Sequence, residues 1–219
     1  TPVLDGLSLT AGYRYTWDFS SNWGQGFGTF GGCVAGFSGP NCGSAASEFQ
    51  THRLTWNYSL DYKLTPDTMI YARSGRGFLG GQFTASNPAG YQLVQPEGLT
   101  DVEAGVKSDW ELFGIKARTN ADVFYDWFNN IQESIGLVVP GRGVIGANIN
   151  AAAAELKGFE IQATVIPVDG LEMGLNYAYE EGQFTMFNNP AANPHDQSGL
   201  PFRFLPRDKG TIDVRYHVP

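Results

Sequence analysis

Charge is what this sequence has least of. Only 16% of its residues are Asp, Glu, Lys or Arg, against about 25% in ordinary soluble domains. What charge there is leans acidic, 14 Lys and Arg against 22 Asp and Glu, a net of −8. A phosphate backbone needs a basic face, so no nucleic-acid partner is expected. No run of about 18 apolar residues occurs, which excludes a transmembrane helix. It does not exclude membrane strands, whose apolar residues come at every second position. Histidine is scarce, three in all, and the only cysteines are Cys33 and Cys42. No Cys-x-x-Cys exists and no histidine stands at ligand spacing from the pair, so neither a metal nor a cofactor is expected. The two thiols are either free or a local disulfide of an oxidising compartment; their close spacing in a glycine-rich stretch makes the bond the expectation. Thr1 to Asp5 lack the basic start of a signal peptide. The chain therefore reads as one whose leader was removed or as an internal piece of something longer.

What fills the sequence instead is alternation. Aromatics make up 14% and there are 28 glycines. Leu7, Leu9, Ala11, Tyr13, Tyr15 and Trp17 share one parity; Ser8, Thr10, Gly12, Arg14, Thr16 and Asp18 share the other. A period of two puts each set on one face of a strand, where a helix would mix them. Residues 53–63, 101–112, 115–127, 171–180 and 211–218 repeat the pattern. Residues 68–78 are rich in small side chains and their facing stays open. Over 154–165 the phase slips between Leu156 and Phe159, and a bulge at Gly158 is the expected remedy.

The eight expected strands are joined by two sizes of connection in strict alternation. Residues 64–67, 111–114 and 167–170 are tight turns; 19–49, 79–96, 132–148 and 184–207 are long loops. An all-β, antiparallel up-and-down sheet with short turns at one end and long loops at the other is the layout of outer-membrane barrels. A soluble β-sandwich also alternates, but it tends to show a Lys/Glu-rich outer face and seldom gathers its long loops at one end. The strand order then predicts two aromatic belts. The upper holds Tyr15, Trp17, Tyr125, Trp127, Tyr177 and Tyr179, the lower Tyr62, Tyr71, Trp110 and Tyr216.

Particular strings carry a resemblance. LTPDTMIYARSGRGFLGGQF, QPEGLTDVEAGVKSD, FYDWFNNIQ and NAAAAELKGFEIQATVIPVDGLEMGLNYAYEEGQF, with LSLTAGYRYTWD before them, resemble the barrel region of TonB-dependent outer-membrane receptors over nearly the whole chain. The resemblance implies a 22-stranded, plugged barrel in the outer membrane of a Gram-negative bacterium. It implies import of a scarce nutrient, most commonly an iron–siderophore complex, driven by the TonB complex. The partners implied are outer-membrane lipid, a small nutrient ligand, and TonB acting through a plug that this chain lacks. Residues 1–219 are then one partial barrel domain. Its first and last strands are expected not to pair with each other but to await further strands. The alternative is a complete small eight-stranded barrel with a structural or adhesion role.

Little in the sequence carries catalysis. His52 and His217 are read as lying on the polar face of strands and His195 in a loop beside Asp196 and Ser198. Adjacent loop residues cannot adopt triad geometry and no nucleophile elbow is present, so no enzyme is expected, an active site at the barrel rim being the weakest reading. GFGTFGG and GRGFLGG open no helix after a strand and are read as loop backbone rather than phosphate cradles. The polar parity, including Arg14, Arg53, Lys107, Lys116, Arg118 and Arg215, is expected to face the lumen. Ligand contact is expected from the long loops, through Trp23, Phe27, Phe30 and Phe37 in the first and Phe187, Asn188, Asn189, Phe202, Arg203 and Phe204 in the last.

Overall fold

In the computed structural model, which describes residues 5–25, 44–84, 87, 90–139, 141 and 143–218, the alternation becomes ten strands and no helix. They are β1 (Leu7–Gln25), β2 (Ser44–Thr65), β3 (Thr68–Leu79), β4 (Gln82–Phe83), β5 (Leu93–Val94), β6 (Glu97–Leu112), β7 (Ile115–Val139), β8 (Gly143–Val168), β9 (Leu171–Phe187) and β10 (Asp208–Tyr216). Eight form one antiparallel sheet in the order β1-β2-β3-β6-β7-β8-β9-β10, and β4 and β5 pair separately. Nearest neighbours in sequence are nearest neighbours in the sheet, as an up-and-down meander requires. β1 and β10 are its two edges and do not pair with each other. The reading of a complete eight-stranded barrel therefore loses its central requirement.

Each strand shows one polar and one apolar face. Along one register row Leu9, Leu60, Ala72, Ala104, Val123, Phe159 and Tyr179 stand side by side. The neighbouring polar row carries Tyr71, Gly105, Asp122, Glu160 and Ala178. The apolar face has no second layer over it: Leu9, Trp17 and Ile212 expose 72, 72 and 73% of their surface. A soluble sandwich would bury this face against another sheet. So continuous an exposed apolar surface on an open meander suits contact with lipid.

The aromatic belts follow the strands. Tyr15 and Trp17 stack edge-on at 4.5 Å, as Tyr125 and Trp127 approach at 4.5 Å, and Tyr177 and Tyr179 both flank Phe159 at 5.8 Å. The register row of Tyr177 runs through Ile161, Ala121, Val106, Ile70 and Tyr62 to Leu7, not to Tyr15. A level belt cuts diagonally across register rows when strands tilt, as barrel strands must. Tyr62, Trp110 and Tyr216 keep to the end of the short turns. Tyr71 does not belong with them. Its ring lies over Gly105 on the polar face, its hydroxyl donates to Glu103 Oε1 at 2.6 Å, and Lys107 Nζ sits 5.3 Å from its centre. This settles the facing of β3 as Met69, Tyr71 and Arg73 on the polar side. His52 is corrected the other way: paired with Trp17 and 6.4 Å from the Tyr15 ring, it is on the apolar side.

Gly158 is not a bulge. It pairs in step with Phe124 and with Glu180. A Cβ there would strike the Phe124 ring and the Tyr179 carbonyl. The apparent slip is an apolar patch on the polar face, Phe124 and Leu156 side by side, with glycine making room for the ring. The real irregularity of the β7–β8 pair lies higher, between Phe128 and Gln132, where Asn130 takes a φ of 54°. The expected loop over 132–148 is instead the upper half of the β7–β8 hairpin. It alternates too, with Ile135, Leu137 and Ala147 buried on one side. Its strands, 25 and 26 residues long, far exceed the ~10 that cross a bilayer, so the hairpin stands clear of the membrane band. The excursion over 79–96 likewise contains β4 and β5, and β9 continues to Phe187.

Candidate functional site

At the end away from the short turns, three segments pack together. The hairpin of β7 and β8 contributes Phe128, Ile131, Ile149, Ala151, Ala152 and Ala154; the end of β9 adds Phe184 and Phe187; Phe202 closes the cluster. Phe184 lies 4.7 Å from Phe187 and 5.1 Å from Phe202, and Phe128 meets Phe202 edge-on at 5.9 Å. The small alanines of β8 let these rings sit close to its backbone.

The loop after β9 folds back along that strand. Phe184 N–H donates to the Leu200 carbonyl at 2.9 Å, Phe202 N–H reaches the Gly182 carbonyl at 3.1 Å, and Phe187 N–H donates to Ser198 Oγ at 3.0 Å. The Ser198 hydroxyl, and next the Ser198 N–H at 2.9 Å, hold the Asp196 carboxyl below its usual range. His195 Nδ1 lies 3.2 Å from the Asn189 carbonyl. Ser198, His195 and Asp196 thus all bond into the loop's own structure. On the other side, Asn150 clamps the excursion before β6: its amide donates to the Gln95 carbonyl at 2.8 Å and its oxygen accepts the Gln95 N–H at 2.6 Å. Gln132 Nε2 adds a bond to the Gly80 carbonyl at 2.8 Å.

Between these elements opens a cleft of about 430 Å³. Phe128, Phe184, Phe187, Phe202 and Phe204 supply an apolar wall; Glu97, Glu133, Asn189 and Arg203 supply the polar groups. Phe204 is fully exposed and holds a φ of 60°, a left-handed conformation uncommon for a bulky residue and met where structure around it is fixed for use. Burial pushes the Glu133 carboxyl above its ordinary range, Arg203 pulls against the rise, and Glu97 adds to it. An aromatic wall with few polar groups suits a bulky amphipathic ligand.

Of the residues expected to touch ligand, Phe187, Asn189, Phe202, Arg203 and Phe204 line the cleft. Asn188 instead bridges to Asp196 within the folded loop. Trp23 is placed in β1 opposite Ala46, and Phe27, Phe30 and Phe37 lie outside the described residues, as do Cys33 and Cys42. The sequence reading missed Glu97, Phe128, Glu133 and Phe184; for Phe128 and Glu133 the signal was the continued alternation of β7 past residue 127. The polar-face cations are placed on the expected parity. Arg118 grips Asp109 with bonds of 2.5 and 2.9 Å, Arg215 meets Glu172 at 3.0 Å, and Lys107 covers Tyr71. Arg14 and Arg53 flank Thr55, and Lys116 joins Asp67 and Glu111 around a lower cleft. Midway, Arg73 pairs with Glu103 beside Asp101, Asp122, Asp126 and Glu160.

Known structures share this wall. The ferric yersiniabactin uptake receptor FyuA of Yersinia pestis matches 97% of the chain with a TM-score of 0.68 at 19% identity. The siderophore receptor PiuA of Acinetobacter baumannii matches 98% at 0.70 and 15%. The hemophore receptor HasR of Serratia marcescens matches 97% at 0.60 and 15%. The chain spans 29, 29 and 39% of these proteins' length. It is thus a segment-sized match to larger barrels, of a kind found in the outer membrane of Gram-negative bacteria. The model of the TonB-dependent receptor-like β-barrel family matches residues 2–219, and the chain belongs to that family of transport receptors.

Proposed function

We propose that the chain forms part of the wall and mouth of an outer-membrane receptor that imports a scarce nutrient. An iron–siderophore complex is the cargo we favour, with energy delivered by TonB through a plug. The observation that carries this reading is the phenylalanine-lined cleft at the end opposite the short turns, on a sheet whose apolar face suits lipid and whose edges are open. Siderophore complexes present flat, partly apolar surfaces with polar edges, which five phenylalanines, two carboxylates and Arg203 can grip. The carboxylate-rich stretch of the polar face around Arg73 suits contact with a basic plug surface. The test uses cells that depend on the full-length receptor under iron limitation, with uptake of labelled ferric siderophores followed with and without TonB. TonB-dependent uptake that falls about tenfold in Phe204→Ala is expected, in line with a lost aromatic anchor. Uptake of every ferric siderophore that persists unchanged without the receptor would refute the cargo.

A further inference from the structure

The phenylalanine-lined cleft at the mouth is uneven in charge. Among the described residues, Glu97 and Glu133 line it against a single cation, Arg203. Glu97 accepts the Gln132 N–H at 3.0 Å, which fixes its carboxylate beside the β7–β8 hairpin. Glu133 is half-buried and Arg203 exposed. Arg203 is near enough to pull on the Glu133 carboxyl, yet the two form no ion pair among the described residues. The next row of the polar face inward from Phe128 deepens the imbalance. It runs through Asn57, Gly75, Asp101, Asp126, Leu156 and Gly182, with carboxylates and no cation. A cargo entering the cleft therefore meets negative charge beside it and ahead of it.

The phenylalanine rings add to this, because their faces are negative and attract cations. Like charges brought together between low-dielectric walls repel strongly, since little water is left to screen them. The Glu133 carboxyl, raised first by burial and further by Glu97, already registers that environment. Ferric complexes differ widely in charge. Three hydroxamates neutralise Fe(III), and an amine on the chelator leaves the complex cationic; three catecholates leave it a trianion. We infer that the cleft selects cargo by charge, admitting neutral and cationic ferric complexes of the hydroxamate class and turning away polyanionic catecholates. Glu97 and Glu133 are the residues that decide. The inference rests on the cargo reading above and narrows it to one class.

The experiment titrates the full-length receptor in neutral detergent by intrinsic fluorescence. The probes are a cationic linear ferric trihydroxamate, a neutral cyclic one and a trianionic ferric tricatecholate. At low ionic strength the first two are expected to bind the native protein at least about tenfold more tightly than the trianion. Added salt should narrow that gap by strengthening trianion binding. The double variant Glu97→Gln/Glu133→Gln should shrink the gap between neutral and trianionic complexes about tenfold. Glu111→Gln, the same change of charge beside the short turn after β6, should leave the gap as it is. A shift in gel mobility on heating checks that each variant is folded. Should the double variant fail that check, Glu133→Gln alone is expected to shrink the gap about threefold. A trianion bound by the native protein as tightly as the neutral complex overturns the inference. So does a gap that neither salt nor the folded variants alter. In both cases TonB-dependent uptake of a catecholate complex would leave the transport reading standing. Binding of no ferric complex, whatever its charge, removes the cargo reading and this inference together.

Discussion

Single glycines and single carboxylates carry consequences out of proportion to their size. Gly158 is such a position, since any Cβ must displace the Phe124 ring or the Tyr179 carbonyl. Gly158→Ala is expected to destabilise the folded receptor by about 1–3 kcal/mol, the ordinary cost of overpacking. A lower temperature of heat-induced gel shift would register it, and Gly98→Ala, with nothing near its would-be Cβ, serves as the quiet comparison. Glu133 acts through its proton. Its carboxyl is raised by burial, so the folded protein holds this proton more tightly than the unfolded chain does. Its contribution to stability is therefore present below the ordinary carboxylate range and is lost as pH rises through the raised value. Protection factors of amides 128–135, that is, exchange rates corrected for their intrinsic pH dependence, should thus be higher at about pH 4 than at about pH 7, with the difference flattened in Glu133→Gln. Arg203→Gln should move the transition further up in pH, because Arg203 is what opposes the rise.

The β7–β8 hairpin is the element whose two halves do different work. Below Phe128 it is wall; above, it is a small core of Ile131, Ile135, Leu137, Ala147, Ala151 and Ala152. Replacing residues 134–148 by a two-residue turn should leave the wall folded, because the ladder from Lys116 to Phe128 is untouched. The cleft should lose affinity for its ligand about tenfold or more, since one side of it is removed. Ligand titration by intrinsic fluorescence, beside the gel-shift check for folding, measures both. A truncation that abolishes folding would show that the upper core supports the wall.

At the scale of the molecule, the two belts set where the sheet sits in lipid. Trp17 and Trp127 belong to the upper level and Trp110 to the lower, separated by an apolar band of about 25 Å. Single-tryptophan forms of the full receptor in vesicles should therefore be quenched by brominated lipids with two depth profiles, Trp17 and Trp127 alike and Trp110 apart. A common depth for all three would contradict the strand order. The unpaired edges make a further demand. Backbone groups without partners cannot persist in hydrocarbon, so residues 1–219 expressed alone should fail to gain a heat-resistant, compact gel form, whereas the full barrel should show it.

Period-two alternation determined the eight strands of the main sheet and most of their faces, because a strand's facing is a local property of its residues, and the alternating short and long connections gave their order. Alternation also determined the polar parity of Arg14, Arg53, Lys107, Lys116, Arg118 and Arg215; that β1 and β10 stay apart followed instead from the family resemblance. Where small residues blurred the period, as around Tyr71, only the neighbour decided: the ring needs the bare backbone of Gly105. At Gly158 a local irregularity looked like a bulge, yet the partner strands keep step and the glycine answers to Phe124. The cleft was legible at Phe187, Asn189, Phe202, Arg203 and Phe204. Its remaining walls come from β7, β9 and the start of β6, brought together because the loop after β9 folds back through backbone bonds that no side-chain pattern announces. That the β2–β3 ladder ends at Trp56 opposite Arg76, although β2 runs back to Ser44 and β3 on to Leu79, belongs to the same kind: pairing between strands is decided by register across the sheet, and a single chain's alternation does not record where it stops.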